Sequence, residues 1–248
     1  MKQRLLQVSD CHLSRQPHKT YRGQDPDANL ERIASSIKAF GPDLLVLTGD
    51  LSEDASAQSY QRIVSWAGAF DCPVAWLPGN HDDRAAMQPL FDAAGFDAGP
   101  VILTGSGRAA WQLVLLDSTW PDDPSGELDD ARLRPLAQLE PGLPTGVFVH
   151  HQPINVGAAW IDKVGMRHRQ RLVDAVRARP EVRFVAFGHV HQRFRAHYRQ
   201  VEWLACPSTA ANSKAATPRF AAGETTPMAR WFVLSGQHFN AGYLAPAR

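Results

Sequence analysis

Cysteine is scarce in this chain: Cys11, Cys72 and Cys206 are odd in number, far apart and without a CxxC pair. That excludes a disulfide framework and a thiolate zinc site, and it points to a cytoplasmic protein. An excess of one charge is lacking too. Lys and Arg total 26 against 25 for Asp and Glu, a formal net charge of +1. No basic stripe is present to hold a phosphate backbone by counterion release, so no nucleic-acid partner is expected. No apolar run approaches the ~20 residues of a membrane-spanning helix, so no membrane partner is expected either. The opening MKQRLLQVSDCH turns polar after a few apolar residues and does not read as a secretory signal. No internal repeat or interdomain linker stands out. What remains is 248 residues, 44% hydrophobic and 21% charged, enough for one large α/β domain over residues 1–248.

Strands and helices alternate along the chain. Residues 4–10 and 43–50 are short Leu- and Val-rich runs ending in polar residues, and each predicts a buried strand. Between them Leu30, Ile33, Ala34 and Ile37 fall at helical spacing, with Asp27 placed to cap the start and Gly41-Pro42 to stop it. Further helices are predicted over 56–69, 84–94 and 167–179, the last with Leu172, Val173 and Val176 inward. Further strands are predicted over 73–77, 111–117, 145–150, 183–187, 201–205 and 229–234. The proline-bearing stretch 212–228 predicts a long loop. The pattern predicts an α/β domain, sheet-centred with helices on its outer faces.

Chemistry gathers at the strand ends. SDCHL puts Asp10 and His12 after the first strand, TGDLSED puts Asp50 after the second, and PGNHDD puts Asn80 and His81 after the third. VHHQP puts His150 and His151 after a later strand, and GHVH puts His189 and His191 after another. Carboxyl ends of strands are where open α/β sheets build their sites. In extended backbone, residues two apart share a face, so His189 and His191 point one way and Val190 the other, as do Asp10 and His12 about Cys11. His150 and His151 are adjacent, so only one faces the same point; His150 is assigned to it, with His151 packed or hydrogen-bonded behind. Asp10, His12, Asp50, Asn80, His150, His189 and His191 then offer seven oxygen and nitrogen donors. That is too many for one tetrahedral zinc and suits two ions sharing a carboxylate. Donors of this mixture fit iron, manganese or zinc.

DCH, GD, GNHD, HH and GHVH, in that order, resemble the calcineurin-like metallophosphoesterase superfamily. Within it, the segments LLDSTWPDDPSGELDDARLRPLAQL, HHQPINVGAAWIDKVGM and CPSTAANSK resemble the bacterial class III cyclic 3',5'-AMP phosphodiesterases. The resemblance covers nearly the whole chain and implies a four-layer α/β/β/α sandwich. It implies one ion on Asp10, His12, Asp50 and His191 and another on Asp50, Asn80, His150 and His189, iron or manganese first and zinc as the alternative. Asp50 bridges, and a hydroxide held between the ions attacks the phosphorus of cyclic 3',5'-AMP to give 5'-AMP. His81 is left as the catalytic group that assists the leaving oxygen, and His12, Asp50, Asn80, His81 and His191 line the substrate. The alternatives are other phosphodiesters (glycerophosphodiesters, other cyclic nucleotides, or a broad range) or a non-catalytic scaffold, which the full donor set disfavours. No oligomeric state is implied.

Gln152 stands where relatives often carry His or Pro, and Asn212-Ser213 falls in a variable segment. Asp54 could orient a histidine or cap a helix, and it is left out of the site. Trp76 and Trp111 are expected in the core. Trp160, in a loop after a donor strand, could line a substrate pocket, and the loop 212–228 could close over a nucleotide. The run RHRQR, with His168, is expected to be a solvated helix face.

Overall fold

The computed structural model describes residues 2–107 and 110–247. The chain runs β1 (Gln3–Val8), α1 (Pro26–Phe40), β2 (Leu44–Thr48), α2 (Ala57–Ala67), β3 (Val74–Leu77), α3 (Arg84–Ala93), β4 (Val101–Thr104), β5 (Trp111–Leu116) and α4 (Asp130–Ala137). It continues β6 (Thr145–Val149), α5 (Ala159–Asp162), α6 (Gln170–Arg177), β7 (Val182–Phe187), β8 (Phe194–Tyr198), β9 (Val201–Ala205), β10 (Ala229–Ser235) and β11 (His238–Leu244). These strands form two sheets, ordered β11-β10-β1-β2-β3 and β4-β5-β6-β7-β9-β8.

Alternation along each strand explains the layering. In β2, Leu44 and Val46 face the other sheet, while Leu45 and Leu47 join Ile33 and Ile37 of α1 and Ile63 of α2. In β3, Ala75 and Leu77 point inward, and Val74 and Trp76 meet the helices. The second sheet mirrors this. Leu113 and Leu115 of β5 and Phe148 of β6 face the first sheet, whereas Val114, Val147 and Val149 pack on Leu136 of α4 and on Leu172 and Val176 of α6. Both faces of each central strand are therefore buried, which is why those strands read as unbroken apolar runs. The result is the four-layer α/β/β/α sandwich, with Phe184 stacked on Phe232 across the sheets at 4.7 Å between ring centroids.

Several expectations shift. The pattern alone centred the fold on a sheet; two are found, because pairing between distant strands leaves no mark on local periodicity. Helix α1 is capped by Asp25, whose carboxylate accepts from Ala28 N, and not by Asp27, which binds Arg62 instead. Gly41 closes that helix in a left-handed conformation, its N–H bonding Ile37 O. β4, β8, β11, α4 and α5 lie where no strand or helix was expected. β11 (HFNAGYL) carries no apolar run and gains its place by pairing with β10, which in turn pairs antiparallel with β1. The segment 212–228 is irregular, as expected, apart from an isolated Ser213–Ala222 bridge.

Candidate metal centre

Parallel pairing of β1, β2 and β3, and of β5, β6, β7 and β9, turns the carboxyl ends of the central strands to common edges. Asp10 and His12 follow β1, Asp50 follows β2 and Asn80 follows β3. His150 follows β6, and His189 and His191 follow β7. The two edges meet: His150 Nδ1 lies 2.8 Å from Thr48 O at the end of β2, and His191 Nε2 lies 3.2 Å from Asp10 Oδ1.

The backbone that delivers these groups is not extended. β1 stops at Val8 and β7 at Phe187. Asp10, His12, Asp50, His189 and His191 all have φ between 46° and 67°, a left-handed conformation that costs a non-glycine residue on the order of 1–3 kcal/mol. The strand argument thus gave the right face for the wrong reason. His189 and His191 converge through tight turns while Val190 is fully buried on the other side. Hydrogen bonds hold the turns. Asp10 N donates to Gly49 O and His12 N to Asp50 O, both at 2.9 Å. His189 N lies 3.1 Å from each Asp10 carboxylate oxygen, and His81 N donates to Asp50 Oδ1 at 2.9 Å. A Cβ on Gly79 would collide with Asp50 Oδ1, and one on Gly188 with Ser9 Oγ, so only glycine lets these loops approach so closely.

Four buried imidazoles share one design. His12 Nδ1 meets Glu53 Oε2 at 2.8 Å, His150 Nδ1 meets Thr48 O at 2.8 Å, His191 Nδ1 meets Ala211 O at 2.7 Å and His189 Nε2 meets Val164 O at 3.1 Å. Each commits one nitrogen to an oxygen acceptor and keeps the other, the arrangement that fixes the tautomer of metal-binding histidines. The free nitrogens crowd the carboxylates. His150 Nε2 stands 3.4 Å from Asp50 Oδ1, His12 Nε2 3.8 Å from Asp50 Oδ2, and His12 Nε2 3.1 Å from His191 Nε2. Donor atoms of Asp10, His12, Asp50 and His191 all lie within 4.8 Å of one another. Among the described residues His150 Nε2 and Asn80 Oδ1 are buried without a hydrogen-bond partner. Such orphans are costly unless something binds them, and a cation suits this donor chemistry.

His151 is different. It is fully buried, with Nδ1 2.8 Å from Ser118 Oγ and Nε2 3.2 Å from Pro124 O, so neither nitrogen is spare. It sits close enough to His150 and His189 for donor atoms of the three to fall within 4.8 Å of each other, yet its own hydrogen bonds hold it back, as the adjacency argument expected.

Charge balance is strained without a cation. Burial opposes ionisation of Asp50, but His150, followed by His12 and His81, outweighs it and holds that carboxyl well below its usual range. Burial would lower His150, but the Asp50 carboxylate, followed by the Asp10 charge and the bond to the Thr48 carbonyl, raises it to about 9. Burial and the His150 charge push His189 down to about 3. Asp82 is raised to about 6 by burial and the nearby Asp50 charge, although Gly79, Leu51 and Ser52 N–H groups donate to it.

The sequence reading missed two neighbours of this cluster. Glu53, not Asp54, contacts the histidines: its Oε2 lies 2.8 Å from His12 Nδ1 and 3.3 Å from His81 Nδ1. Asp54 instead accepts from Arg15 N and Ser56 N, and Ser56 caps α2. Tyr21 stacks on the His12 ring at 3.9 Å, a contact with no local signal. Cys11 is buried and inert, its thiol pushed up to about 12 by burial. Arg167 of the RHRQR run is not merely solvated, since it pairs with Asp123 and Glu127. Gln152 is buried, its amide donating to Ile161 O at 2.8 Å. Beside Asn80 and His81 opens a cavity of about 830 Å³, also lined by Arg84, Asp117, Trp120 and Arg132.

A four-layer sandwich carrying carboxylate and imidazole donors at its strand ends is the frame of a metal-dependent hydrolase. The chain belongs to the calcineurin-like phosphoesterase family, which it matches over residues 3–193. It is 32% identical over 216 residues to the 3',5'-cyclic adenosine monophosphate phosphodiesterase CpdA of Escherichia coli K12, covering 85% of this chain and 78% of that protein. It is 30% identical over 214 residues to the glycerophosphodiester phosphodiesterase GpdQ of Enterobacter lignolyticus, covering 83% and 77%. In three dimensions it is similar to a dimetal phosphatase from Danio rerio, with a TM-score of 0.69 and 14% identity over 99% of each chain. No helix among the described residues is long and apolar enough to cross a membrane.

Proposed function

We propose that this chain hydrolyses cyclic 3',5'-AMP to 5'-AMP at a centre of two metal ions. One observation carries the reading: four buried imidazoles around Asp10 and Asp50 each bind an oxygen acceptor through one nitrogen and leave the other for an ion, and among the described residues Asn80 Oδ1 and His150 Nε2 have no hydrogen-bond partner. On this reading Asp10, His12, Asp50 and His191 hold one ion, and Asp50, Asn80, His150 and His189 hold the other. Iron or manganese suits the donors first, and zinc also. When bound, such a pair supplies positive charge to the phosphoryl oxygens and lowers the pKa of water toward neutrality.

The chain's own groups do the rest. Asp50 presents Oδ2 toward His12 and Oδ1 toward His150, so it faces both sets of donors. His12, Asp50, Asn80, His81 and His191 border the space a phosphate would enter. Glu53 faces His81 Nδ1 at 3.3 Å, which leaves Nε2 for the substrate. When the bond from phosphorus to the 3' oxygen breaks, that nitrogen donates the proton the leaving oxygen needs, and the Glu53 carboxylate stabilises the charged ring beforehand.

Cyclic AMP as substrate rests on the named activity of CpdA-type relatives; the GpdQ relative favours glycerophosphodiesters as the second reading. Three free cysteines and a near-neutral charge suit action in the cytoplasm on a small nucleotide. The test strips the protein with chelator, restores it with manganese or iron, and compares cyclic AMP, glycerophosphoethanolamine and bis-(p-nitrophenyl) phosphate. Metal-dependent turnover of cyclic AMP and of the aryl diester is expected. Turnover of the glycerophosphodiester without cyclic AMP would shift the function to the second reading, and no metal-dependent turnover at all would contradict both.

A further inference from the structure

On one flank of the donor cluster, two loops and the short helix α5 bring aromatic rings around a single arginine. Tyr21 stacks on His12 at 3.9 Å with only 7° between the planes. The Arg22 guanidinium carbon lies 5.1 Å from the Tyr21 ring centroid, 5.5 Å from that of Trp160 and 4.2 Å from that of Phe220. Trp160 and Phe220 meet edge to face at 5.4 Å. Two contacts, His12 to Tyr21 and Tyr21 to Arg22, thus separate this cage from the donor set.

The cage is built but not sealed. Phe220 is 39% exposed, one of three large hydrophobic residues exposed among those described. It sits on the loop whose Lys214 N donates to Ala221 O at 2.9 Å and Gly223 N to Asn212 O at 2.8 Å. The same loop is tied to the cluster by Ser213 N donating to His191 O at 2.7 Å. Among the described residues Arg22 forms no side-chain hydrogen bond or ion pair, only ring contacts, and Trp160 Nε1 has no acceptor. An exposed ring and an uncommitted guanidinium at the rim of an anion-binding centre, with the Trp160 indole packed behind them and its N–H buried, ask for a flat, electron-rich ligand with acceptor atoms.

The opposite flank does not offer this. Trp120, in the cavity beside His81, has the guanidiniums of Arg132 and Arg167 over its ring at 5.4 and 5.6 Å. Both are committed: Arg132 bonds the Asp117 and Thr119 carbonyls, and Arg167 pairs with Asp123 and Glu127. That side is also dense in aspartates, which repel an anion.

We infer that Arg22 and Phe220, backed by Trp160, form the subsite for the purine base of the nucleotide, with the Phe220 ring stacking on the base and the guanidinium meeting its ring acceptors. The inference rests on the proposed nucleotide reading. It gives the loop 212–228 a role: its tip supplies a stacking ring while its base is fixed to His191.

The test measures calorimetric binding of 5'-AMP and of ribose 5-phosphate, which lacks the base, to the manganese-loaded protein. Steady-state hydrolysis of cyclic AMP is measured alongside. The intact protein should bind 5'-AMP roughly tenfold or more tightly than ribose 5-phosphate. In Phe220→Ala and Arg22→Ala that preference should collapse while ribose 5-phosphate binding is unchanged. The same variants should raise KM for cyclic AMP with kcat little altered, and Phe220→Tyr should restore the preference. A preference that survives in both alanine variants, or that is lost instead in Trp120→Leu, would overturn the assignment. Hydrolysis of cyclic AMP with no base preference would remove the subsite and leave the activity standing. A Phe220-dependent preference without hydrolysis would keep the subsite and refute the activity.

Discussion

The two sheets bring unlike chemistry to one place. From the ends of β1, β2 and β3 come Asp10, Asp50 and Asn80, with His12 as the nitrogen donor of that side and Glu53 and Asp82 close behind. From the ends of β6 and β7 come imidazoles alone, His150, His189 and His191. One half carries buried negative charge; the other carries none unless it takes up protons. A protonated His150 and the ionised Asp50 stabilise each other, which is why His150 is raised to about 9 while Asp50 is held well below its usual range. On the proposed two-ion reading the halves are matched to a shared positive partner, for which a proton on His150 is a poor substitute because it leaves Asn80 Oδ1 unpaired.

Removing the group that faces both halves should have the largest effect. Asp50→Ala is expected to lower turnover to background and to strip metal, read by elemental analysis of the purified variant; near-normal turnover would break the comparison. A smaller effect is expected from His81→Ala, since His81 belongs to neither half's donor set. Turnover should fall roughly 10²-fold with metal content intact, and Glu53→Gln, which keeps shape and removes charge, should cost roughly tenfold. Loss of metal in His81→Ala would place that histidine among the donors instead.

The smallest effect concerns the metal-free protein. The folded pKa of His150, about 9, lies above the unfolded value of about 6.5. The stabilisation from its pairing with Asp50 is therefore full below about pH 6.5 and drains as pH rises through about 9. Denaturant midpoints of the chelated protein should fall across that window, and those of the manganese-loaded protein should fall less, because a metal donor must already be deprotonated. Equal slopes for the two forms would argue that His150 does not meet a cation.

Much of this centre is legible in the chain because each donor follows an apolar run. The eye needs only to find where β1, β2, β3, β6 and β7 stop. The chain also offers a choice between His150 and His151, since adjacent residues cannot share a face; in the structure both nitrogens of His151 are already bonded. What was not legible depends on distance along the chain. Glu53 and Asp54 are neighbours, and only the turn after β2 decides which one reaches His12. Tyr21-Arg22, Trp160 and Phe220 come from two loops and the short helix α5, share no motif, and meet only in three dimensions. The second sheet came from the family resemblance and not from the pattern, since periodicity announces strands and not their partners. The left-handed backbone at Asp10, Asp50 and His189 was not anticipated, although Asp and His adopt it more often than most other non-glycine residues.

Anomalous diffraction from crystals grown with manganese would test the central claim most directly. The account requires two peaks, one bordered by Asp10, His12, Asp50 and His191 and the other by Asp50, Asn80, His150 and His189, with Asp50 between them. A single peak, or a second one drawn to His151 and away from Asp50, would contradict it.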